Sequence, residues 1–278
     1  MQMPTSAARS HFVEHAGLKL HHLEWGREGA HAVVLVHGSR LHAHVWNDFA
    51  RRFADRYHII AIDQRGHGES AWDGGEEYRL EDLCRDLRAH VEARKLSRYT
   101  LVGHSLGGRV SMMYAHRHQS ELERLVLVDI TPGRRPRAAA APRAGGGQPR
   151  AFESEEAAAA YLARSMPRAP KHLVEESVRH GVRKNGEGRY VWKYDPVHFA
   201  RRVAPPAGLD LWQLASEIGT PTLLQYGSES DVVDAELASK LQNTMPRCTV
   251  ERIEGAGHGL FTDRPDAFAE GVERFLRA

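Results

Sequence analysis

The stretch "YTLVGHSLGG" (residues 99–108) decides the fold of this chain. Strand-forming residues run straight into the pattern G-x-S-x-G, which places Ser105 between Gly103 and Gly107. A residue at a sharp bend from strand to helix crowds its neighbours, so the positions two before and two after it must be small. Such a bend lifts the hydroxyl over the amino end of a helix, where N–H groups favour negative charge. The stretch predicts a nucleophile, and its simpler alternative is a serine that caps the helix.

Strand and helix patterns alternate around this stretch. Buried strands are predicted at 32–38, 57–63, 99–105, 122–130, 221–227 and 248–255, and helices at 45–56, 80–95, 106–118, 234–245 and 264–278. A hairpin that turns at Gly17 precedes them over residues 11–26. Repeated strand–helix units predict an α/β fold, here a mostly parallel eight-stranded sheet with helices on both faces.

Residues 131–215 interrupt this rhythm and are called the insertion below. Its first part, residues 131–150, is rich in Pro, Gly, Ala and Arg without apolar periodicity, which predicts a mobile linker or loop. Helices are predicted at 152–166, 170–184 and 208–217. We therefore expect a helical cap over 131–215 and a core domain made of residues 1–130 and 216–278.

Composition excludes several classes of partner. With 41 % hydrophobic and 27 % charged residues, the 278-residue chain has the composition of a globular protein. Its 38 basic and 36 acidic residues are spread along the sequence, so no basic face for nucleic acid is expected. The first residues contain no apolar segment of the kind found in a secretory signal peptide, and no window has the roughly 18 apolar residues of a membrane span. A cytoplasmic protein is expected, although a processed precursor would give the same pattern.

Cys84 and Cys248 are predicted to be buried reduced thiols.

A serine nucleophile needs a base, and 18 histidines compete for that role. His258 lies in the glycine-flanked loop "EGAGHGL" (254–260) after the last predicted strand. Because the carboxyl ends of parallel strands meet at one edge of a sheet, we expect His258 on the same edge as Ser105. The adjacent His104 is expected to pack nearby. The histidines at 21–22, 42–44 and 116–118 are expected to be solvated, with metal binding as a minor alternative. No metal and no cofactor is predicted.

A third group should orient the imidazole and stabilise its cation. Asp129 lies at the end of the predicted strand 122–130, and Asp231 lies just past the predicted strand 221–227. We favour Asp231, because it lies four residues beyond Gly227 in a loop that can aim a carboxylate sideways at the loop of His258. Asp129 is the alternative acid, and Glu229 is a weaker third choice.

Charge that develops on a carbonyl oxygen during acyl transfer needs two N–H donors. The amide of Leu106, at the predicted start of a helix, is one of them. The loop "HGSR" (37–40) follows the first buried strand and offers the second at the Ser39 amide. Losing one such donor typically costs about 2.7 to 4 kcal/mol of barrier. A simple tight turn at His37 and Gly38 is compatible with this role.

Several separated motifs together resemble a known superfamily. They are "HGS" with Trp46, "DQRGHGES" (63–70), "GHSLGG" (103–108), "GSESDVV" (227–233) and "GAGH" (255–258). In this order and spacing, over residues 12–278, they resemble the α/β-hydrolases, in the capped branch that includes esterases, lactonases and carbon–carbon hydrolases. What the resemblance implies is a structural turn at 63–70, a lid from the insertion, a triad of Ser105, Asp231 and His258, and an oxyanion hole at Ser39 and Leu106.

The expected function is a serine hydrolase that cleaves a carboxylic ester or lactone through an acyl-enzyme. Related epoxide hydrolases and dehalogenases use an aspartate nucleophile, and a serine at 105 argues against both. The aromatic residues expected near the site are Trp46, Tyr190, Trp192, Tyr194 and Phe199. They fit contact with a medium-sized, partly apolar small-molecule substrate, and they fit a protein core equally well. The alternatives are carbon–carbon hydrolysis of a ring-fission diketo acid and a ligand-binding protein with slow turnover. A monomer or homodimer is expected, without a nucleic-acid or membrane partner.

Overall fold

A computed structural model describes residues 7–74, 78–133, 149–196 and 208–278. The strands in chain order are β1 (Arg9–His15), β2 (Leu18–Trp25), β3 (Ala32–Val36), β4 (His58–Ile62), β5 (Tyr99–His104), β6 (Leu122–Val128), β7 (Ala151–Phe152), β8 (Val182–Lys184), β9 (Tyr190–Trp192), β10 (Thr222–Gly227) and β11 (Cys248–Ile253). The helices are α1 (Asn47–Phe53), α2 (Leu80–Ala93), α3 (Leu106–His118), α4 (Glu155–Ser165), α5 (Lys171–Gly181), α6 (Leu211–Ser216), α7 (Ala235–Thr244), α8 (Leu260–Asp263) and α9 (Pro265–Arg277). No helix within the described ranges has the length and apolar character needed to cross a membrane. The expected cytoplasmic location and the monomeric or homodimeric state stay predictions.

Eight of the strands form one sheet in the order β1-β2-β4-β3-β5-β6-β10-β11. β2 pairs antiparallel with β1 and β4, and the other neighbouring pairs are parallel. The hairpin of β1 and β2 turns at Ala16 and Gly17, both with positive φ, as predicted. The predicted α/β fold with its mostly parallel eight-stranded sheet is confirmed. Because β3, β5, β6, β10 and β11 are parallel, the loops that follow them meet at one side of the sheet, called the carboxyl edge below.

Burial explains why these segments form strands and helices. β3 is apolar along its whole length and every residue in it is buried, as expected for a strand covered on both faces. The helices α2, α3, α6 and α7 cover one face of the sheet, and α1, α8 and α9 cover the other. The predicted inward residues of α2 are at most 1 % exposed: Leu80, Leu83, Leu87 and Val91. Both cysteines are free thiols, Cys84 buried as predicted and Cys248 only partly buried.

The described part of the insertion contains strands as well as helices. α4 and α5 lie within the predicted helices, and β7, β9 and β8 form a separate antiparallel sheet in that order. Strands of two or three residues are too short for alternating apolar residues to reveal them in the sequence. Phe199 and most of the predicted linker, residues 134–148, lie outside the described residues. The division into a core domain and a cap stays a prediction.

Several histidines expected on the surface are buried. His21, His22 and His42 are 1 %, 1 % and 5 % exposed, so the prediction of solvated side chains is wrong for them. His21 Nδ1 lies 2.7 Å from Asp63 Oδ2, and His22 Nε2 lies 2.9 Å from Glu24 Oε1. A polar side chain can be buried where it has such a partner. Across the described ranges, no group of three or more His, Cys, Asp or Glu side chains is arranged to hold a metal ion.

Helix α5 of the insertion contacts residues 42–44, before α1, through imidazole rings. His180 stacks on His44 with the ring centroids 3.5 Å apart and the planes at 10°. His42 Nε2 lies 3.0 Å from the carbonyl oxygen of Ser177. Burial and the neighbouring imidazoles lower the pKa of His44 to about 3, and burial lowers the pKa of His42 to about 4. The contact therefore depends on uncharged rings.

We expect this contact to cost stability in mild acid. A histidine whose pKa is lower in the folded than in the unfolded chain has no effect on stability well above pH 6.5, and it destabilises the fold as the pH drops toward the folded pKa. For His42 the loss by pH 4 is roughly 3 kcal/mol, since one pKa unit corresponds to about 1.36 kcal/mol. The measurement is thermal unfolding of the chain at a series of pH values below neutrality.

A matched pair of variants tests the share of the acid sensitivity that comes from the stacked rings of His44 and His180, beside that of His42. His44→Phe keeps an aromatic ring against His180 but removes one titrating group, so the unfolding temperature should fall less steeply with acid than in the wild type. His172→Phe changes an exposed histidine of α5, the helix that carries His180, and should leave the slope of unfolding temperature against pH unchanged. Equal slopes in the wild type and His44→Phe would argue against the assignment.

Candidate active site

The strand-to-helix bend predicted at Ser105 is present. β5 ends at His104 and α3 begins at Leu106, and Ser105 between them has φ +52° and ψ −113°. Residues other than glycine rarely adopt such a conformation, which costs about 1 to 3 kcal/mol and occurs preferentially at functional sites. The Ser105 amide donates to the Val128 carbonyl oxygen at 3.2 Å, at the end of β6. Within the described helix α3 no amide donates to the Ser105 side chain, so the alternative of a helix cap is wrong.

Close contacts require the glycines on both sides of Ser105. A Cβ on Gly107 would collide with the carbonyl oxygens of Val36 and His37, at the end of β3. A Cβ on Gly103 would lie only 2.5 Å from the Gly107 carbonyl oxygen. A side chain at either position would push α3 away from the sheet and flatten the bend. The requirement for small residues that the sequence indicates at this bend therefore has a visible steric cause.

The loop of residues 37–40 lies directly beside Ser105. A Cβ on Gly38 would be 3.1 Å from the Ser105 Cβ, so the residue before Ser39 touches the bend. Leu106 is the first residue of α3, and the first amides of a helix have no partner inside it. Both amides predicted to bind an oxyanion thus belong to residues near Ser105. Their role stays a prediction.

His258 lies at the carboxyl edge against a buried carboxylate. Its Nδ1 is 2.6 Å from Asp129 Oδ2. The Asp129 side chain is 0 % exposed, whereas the His258 side chain is 33 % exposed and so remains accessible from outside. A carboxylate oxygen only accepts hydrogen bonds, so in a neutral imidazole this bond places the proton on Nδ1 and leaves Nε2 as the acceptor. An imidazole in this state can take a proton from a hydroxyl group.

The prediction that Asp231 orients this imidazole is wrong, and the alternative acid, Asp129, lies against it. Asp231 is exposed. The loop after β10 directs Ser230 inward instead, with its Oγ 2.5 Å from Asp129 Oδ2. The same Oγ accepts the amides of Val232 and Val233 at 3.0 and 3.2 Å. This tight turn, with Ser230 on its inner side, leaves the Asp231 side chain exposed to solvent.

Backbone conformation explains why Asp129 reaches His258. Asp129 follows β6 with φ +50°, in a region that aspartate adopts more readily than most residues. Its carboxylate is turned toward the neighbouring β10, where Oδ1 accepts the Gly227 amide at 3.2 Å. Glu229, the third candidate, pairs with Arg168 of the insertion. An aspartate at the end of a strand was the available signal in the sequence, but residue type alone does not reveal a positive φ.

His104 joins the bend at Ser105 to the loop of His258. It is 3 % exposed, and its Nε2 lies 2.9 Å from the carbonyl oxygen of His258. The two imidazole rings are 4.6 Å apart. The expectation that His104 packs nearby agrees with these contacts. Ser105, which directly follows His104, and His258 therefore lie in neighbouring loops at the carboxyl edge.

The turn at residues 63–70 has structural contacts throughout. Asp63 is 1 % exposed, and its carboxylate accepts the amides of Ala43 and Glu69 at 2.6 and 3.0 Å. Arg65 forms a bidentate ion pair with Asp86 of α2, with nitrogen–oxygen distances of 2.6 and 2.7 Å. These bonds fix the turn against α2 and against the segment before α1, which agrees with the structural role implied by the resemblance.

The aromatic residues considered as substrate-lining groups pack into protein cores. Trp192 stacks on Tyr194 at 5.8 Å and meets Phe152 edge-on at 5.2 Å, inside the insertion. Trp46 is 0 % exposed and packs on Phe261 of α8 with ring centroids 4.6 Å apart. For these residues the interpretation as core residues fits better than contact with a substrate.

Known proteins resemble this chain along its whole length. The model of the "Alpha/beta hydrolase family" matches residues 33–271. A 2-(acetamidomethylene)succinate hydrolase of Mesorhizobium japonicum is 28 % identical over 100 % of both chains. The esterase Rv0045c of Mycobacterium tuberculosis is 29 % identical over 91 % of this chain and 85 % of its own. The crystal structure of E-2-(acetamidomethylene)succinate hydrolase superposes with a TM-score of 0.87 at 26 % identity, covering 98 % of this chain and 100 % of that chain.

Proposed function

The chain belongs to the alpha/beta hydrolase family, and we propose that it is a serine hydrolase that cleaves a carboxylic ester or lactone of a small molecule through an acyl-enzyme. The observation that carries the proposal is the 2.6 Å hydrogen bond between His258 Nδ1 and Asp129 Oδ2, next to the bend that presents Ser105. A serine hydroxyl needs a base of this kind to act as a nucleophile near neutral pH. An esterase among the similar proteins supports the choice of an ester as substrate.

The first half-reaction forms the acyl-enzyme. Ser105 Oγ attacks the substrate carbonyl carbon while His258 Nε2 takes the hydroxyl proton. The Asp129 carboxylate stabilises the resulting imidazolium through the hydrogen bond at Nδ1. The amides of Leu106 and Ser39 donate to the oxyanion of the tetrahedral intermediate. When the carbon–oxygen bond to the alcohol breaks, His258 passes its proton to the leaving oxygen.

The second half-reaction releases the acid by the same route. A water molecule takes the place of the alcohol, and His258 Nε2 accepts one of its protons as the oxygen attacks the acyl carbon. Collapse of the second tetrahedral intermediate returns the proton from His258 to Ser105 Oγ. An ester gives an alcohol and a carboxylic acid, whereas a lactone gives a single hydroxy acid.

Hydrolysis of an N-acyl group in a small carboxylic acid is a second candidate. The observation that favours it is the match to 2-(acetamidomethylene)succinate hydrolase over the full length of both chains. The same three side chains would act, with the difference that His258 would have to protonate a nitrogen leaving group. The candidate therefore differs in the substrate pocket and not in the proposed triad.

Turnover of a matched set of substrates tests the proposal. The set contains a p-nitrophenyl ester, a lactone, 2-(acetamidomethylene)succinate and a ring-fission diketo acid, each assayed with the wild type and with Ser105→Ala as background. We expect kcat/KM for an ester or lactone on the order of 10⁴ M⁻¹s⁻¹, a value ordinary for enzymes. Turnover of the amide alone, or of the diketo acid alone, would contradict the ester assignment. Retention of a ligand without turnover of any substrate would indicate a binding protein.

A further inference from the structure

His104 is a buried titratable residue that the proposed mechanism does not use. Its Nε2 lies 2.9 Å from the carbonyl oxygen of His258, and the two rings are 4.6 Å apart at an angle of 43°. Phe261, which follows the same loop, meets the His104 ring edge-on with centroids 5.0 Å apart. Because His104 directly precedes Ser105, this ring is held between the bend of the proposed nucleophile and the loop of the proposed base.

The hydrogen bond to His258 fixes the tautomer of His104. A carbonyl oxygen only accepts, so the proton is on Nε2 and Nδ1 is bare. No polar group of the described residues pairs with Nδ1. The backbone of Gly38 packs so near that a Cβ there would lie 2.6 Å from Nδ1. A second proton on this ring would therefore find no acceptor.

His104 stays uncharged while His258 gains and loses a proton. Burial, and after it the charge of His258, hold the pKa of His104 well below its ordinary value of 6.5. The hydrogen bond that His104 donates to the His258 carbonyl oxygen raises this pKa, whereas His37 of the loop at 37–40 lowers it further. A neutral N–H donor can hold the His258 carbonyl without placing a second positive charge beside the imidazolium.

We propose that His104 is a positioning residue, which keeps the His258 imidazole in front of Ser105 by holding the His258 carbonyl oxygen. This inference rests on the proposed function. The residue that precedes the nucleophile also anchors the base, so one side chain sets the relative position of two distant parts of the chain. A displacement of about 1 Å in such a pair can lower a rate by about 10²-fold.

Two variants of the full chain separate the hydrogen bond from the packing of the ring. His104→Phe keeps a ring and removes the donor, whereas His104→Gln keeps an N–H at about the reach of Nε2. For ester hydrolysis by His104→Phe we expect kcat to fall about 10- to 100-fold with KM changed by less than about twofold. His104→Gln should keep kcat within about threefold of the wild type.

A control at the opposite edge of the sheet removes a similar bond. His31 Nε2 lies 3.0 Å from Thr100 Oγ1, so His31→Phe also loses one imidazole hydrogen bond, and its kcat should match the wild type. If His104→Phe does not fold, His104→Leu takes its place in the comparison with His104→Gln. Thermal unfolding of each variant shows that the proteins compared are folded at the assay temperature.

A kcat equal to that of the wild type in folded His104→Phe, or in His104→Leu if that replaces it, would overturn the inference. A loss in His104→Gln equal to that in the variant without a donor would also overturn it. Labelling of wild-type Ser105 with a fluorophosphonate separates the two proposals. If wild-type Ser105 is labelled but kcat is unchanged in His104→Phe or His104→Leu, only the role of His104 is overturned. If wild-type Ser105 takes no label, the proposed function itself is overturned.

Discussion

Asp129→Asn is expected to lower kcat for ester hydrolysis by about 10⁴-fold, while Asp231→Asn leaves it unchanged. The reason lies in the tautomer of His258. An asparagine amide donates to Nδ1, which forces the ring proton onto Nε2, and a protonated Nε2 cannot accept the hydroxyl proton in the proposed mechanism. Asp231 is exposed and makes no contact of this kind with His258 in the described loop.

Steady-state kinetics of both variants, with thermal unfolding as a check on folding, test this expectation. Asparagine at 129 can still accept the Gly227 amide, which the carboxylate accepts at 3.2 Å, so the loop keeps one of its anchors. The exchange of an acid for an amide is the same in both variants, which makes Asp231→Asn the matched control. Loss of activity in Asp231→Asn alone would reverse the assignment of the acid.

Ser105→Ala and His258→Ala should each lower kcat by about 10⁶-fold, and the double variant should be no worse than either one. The two side chains act as a unit in the proposed mechanism, because the serine is no nucleophile without the base and the base has no hydroxyl proton to take without the serine. If the two side chains contributed independently, the loss of kcat in the double variant would equal the product of the two single losses. The non-additivity is therefore a sharper result than the size of either loss.

An exposed serine provides the control for these kinetics. Ser216 of α6 bonds only to the Gln213 carbonyl oxygen among the described hydrogen bonds, and Ser216→Ala should retain the wild-type kcat. Losses in the double variant that equal the product of the single losses would show that Ser105 and His258 work separately. Such a result would contradict a shared proton transfer between them.

The bend at Ser105 could be predicted from the sequence because its requirements are local. Glycines two positions away on each side, a β-strand pattern before and a helical pattern after specify the turn within ten residues, and the carbonyl oxygens that surround Gly107 show why. The location of His258 could also be predicted, since it follows from a general property of parallel sheets. Neither prediction needs knowledge of side-chain packing.

The acid could not be predicted because two aspartates follow strands whose ends meet. The choice depends on a positive φ at Asp129 and on the inward turn of Ser230, and neither is encoded by residue type at one position. The buried histidines were hidden for a related reason. His22 is buried together with its hydrogen-bond partner Glu24, which is 0 % exposed. A pattern of apolar and polar residues assigns two polar residues to the surface, because it does not show that they pair with each other.

In the proposed mechanism the Ser105 hydroxyl becomes a nucleophile through His258. Labelling of the full chain with a fluorophosphonate, followed by peptide mapping, measures this directly. We expect one adduct, on Ser105, which is absent in Ser105→Ala and forms at least about 10³-fold more slowly in His258→Ala. An adduct on a different residue, or labelling of Ser105 at the wild-type rate in His258→Ala, would contradict it.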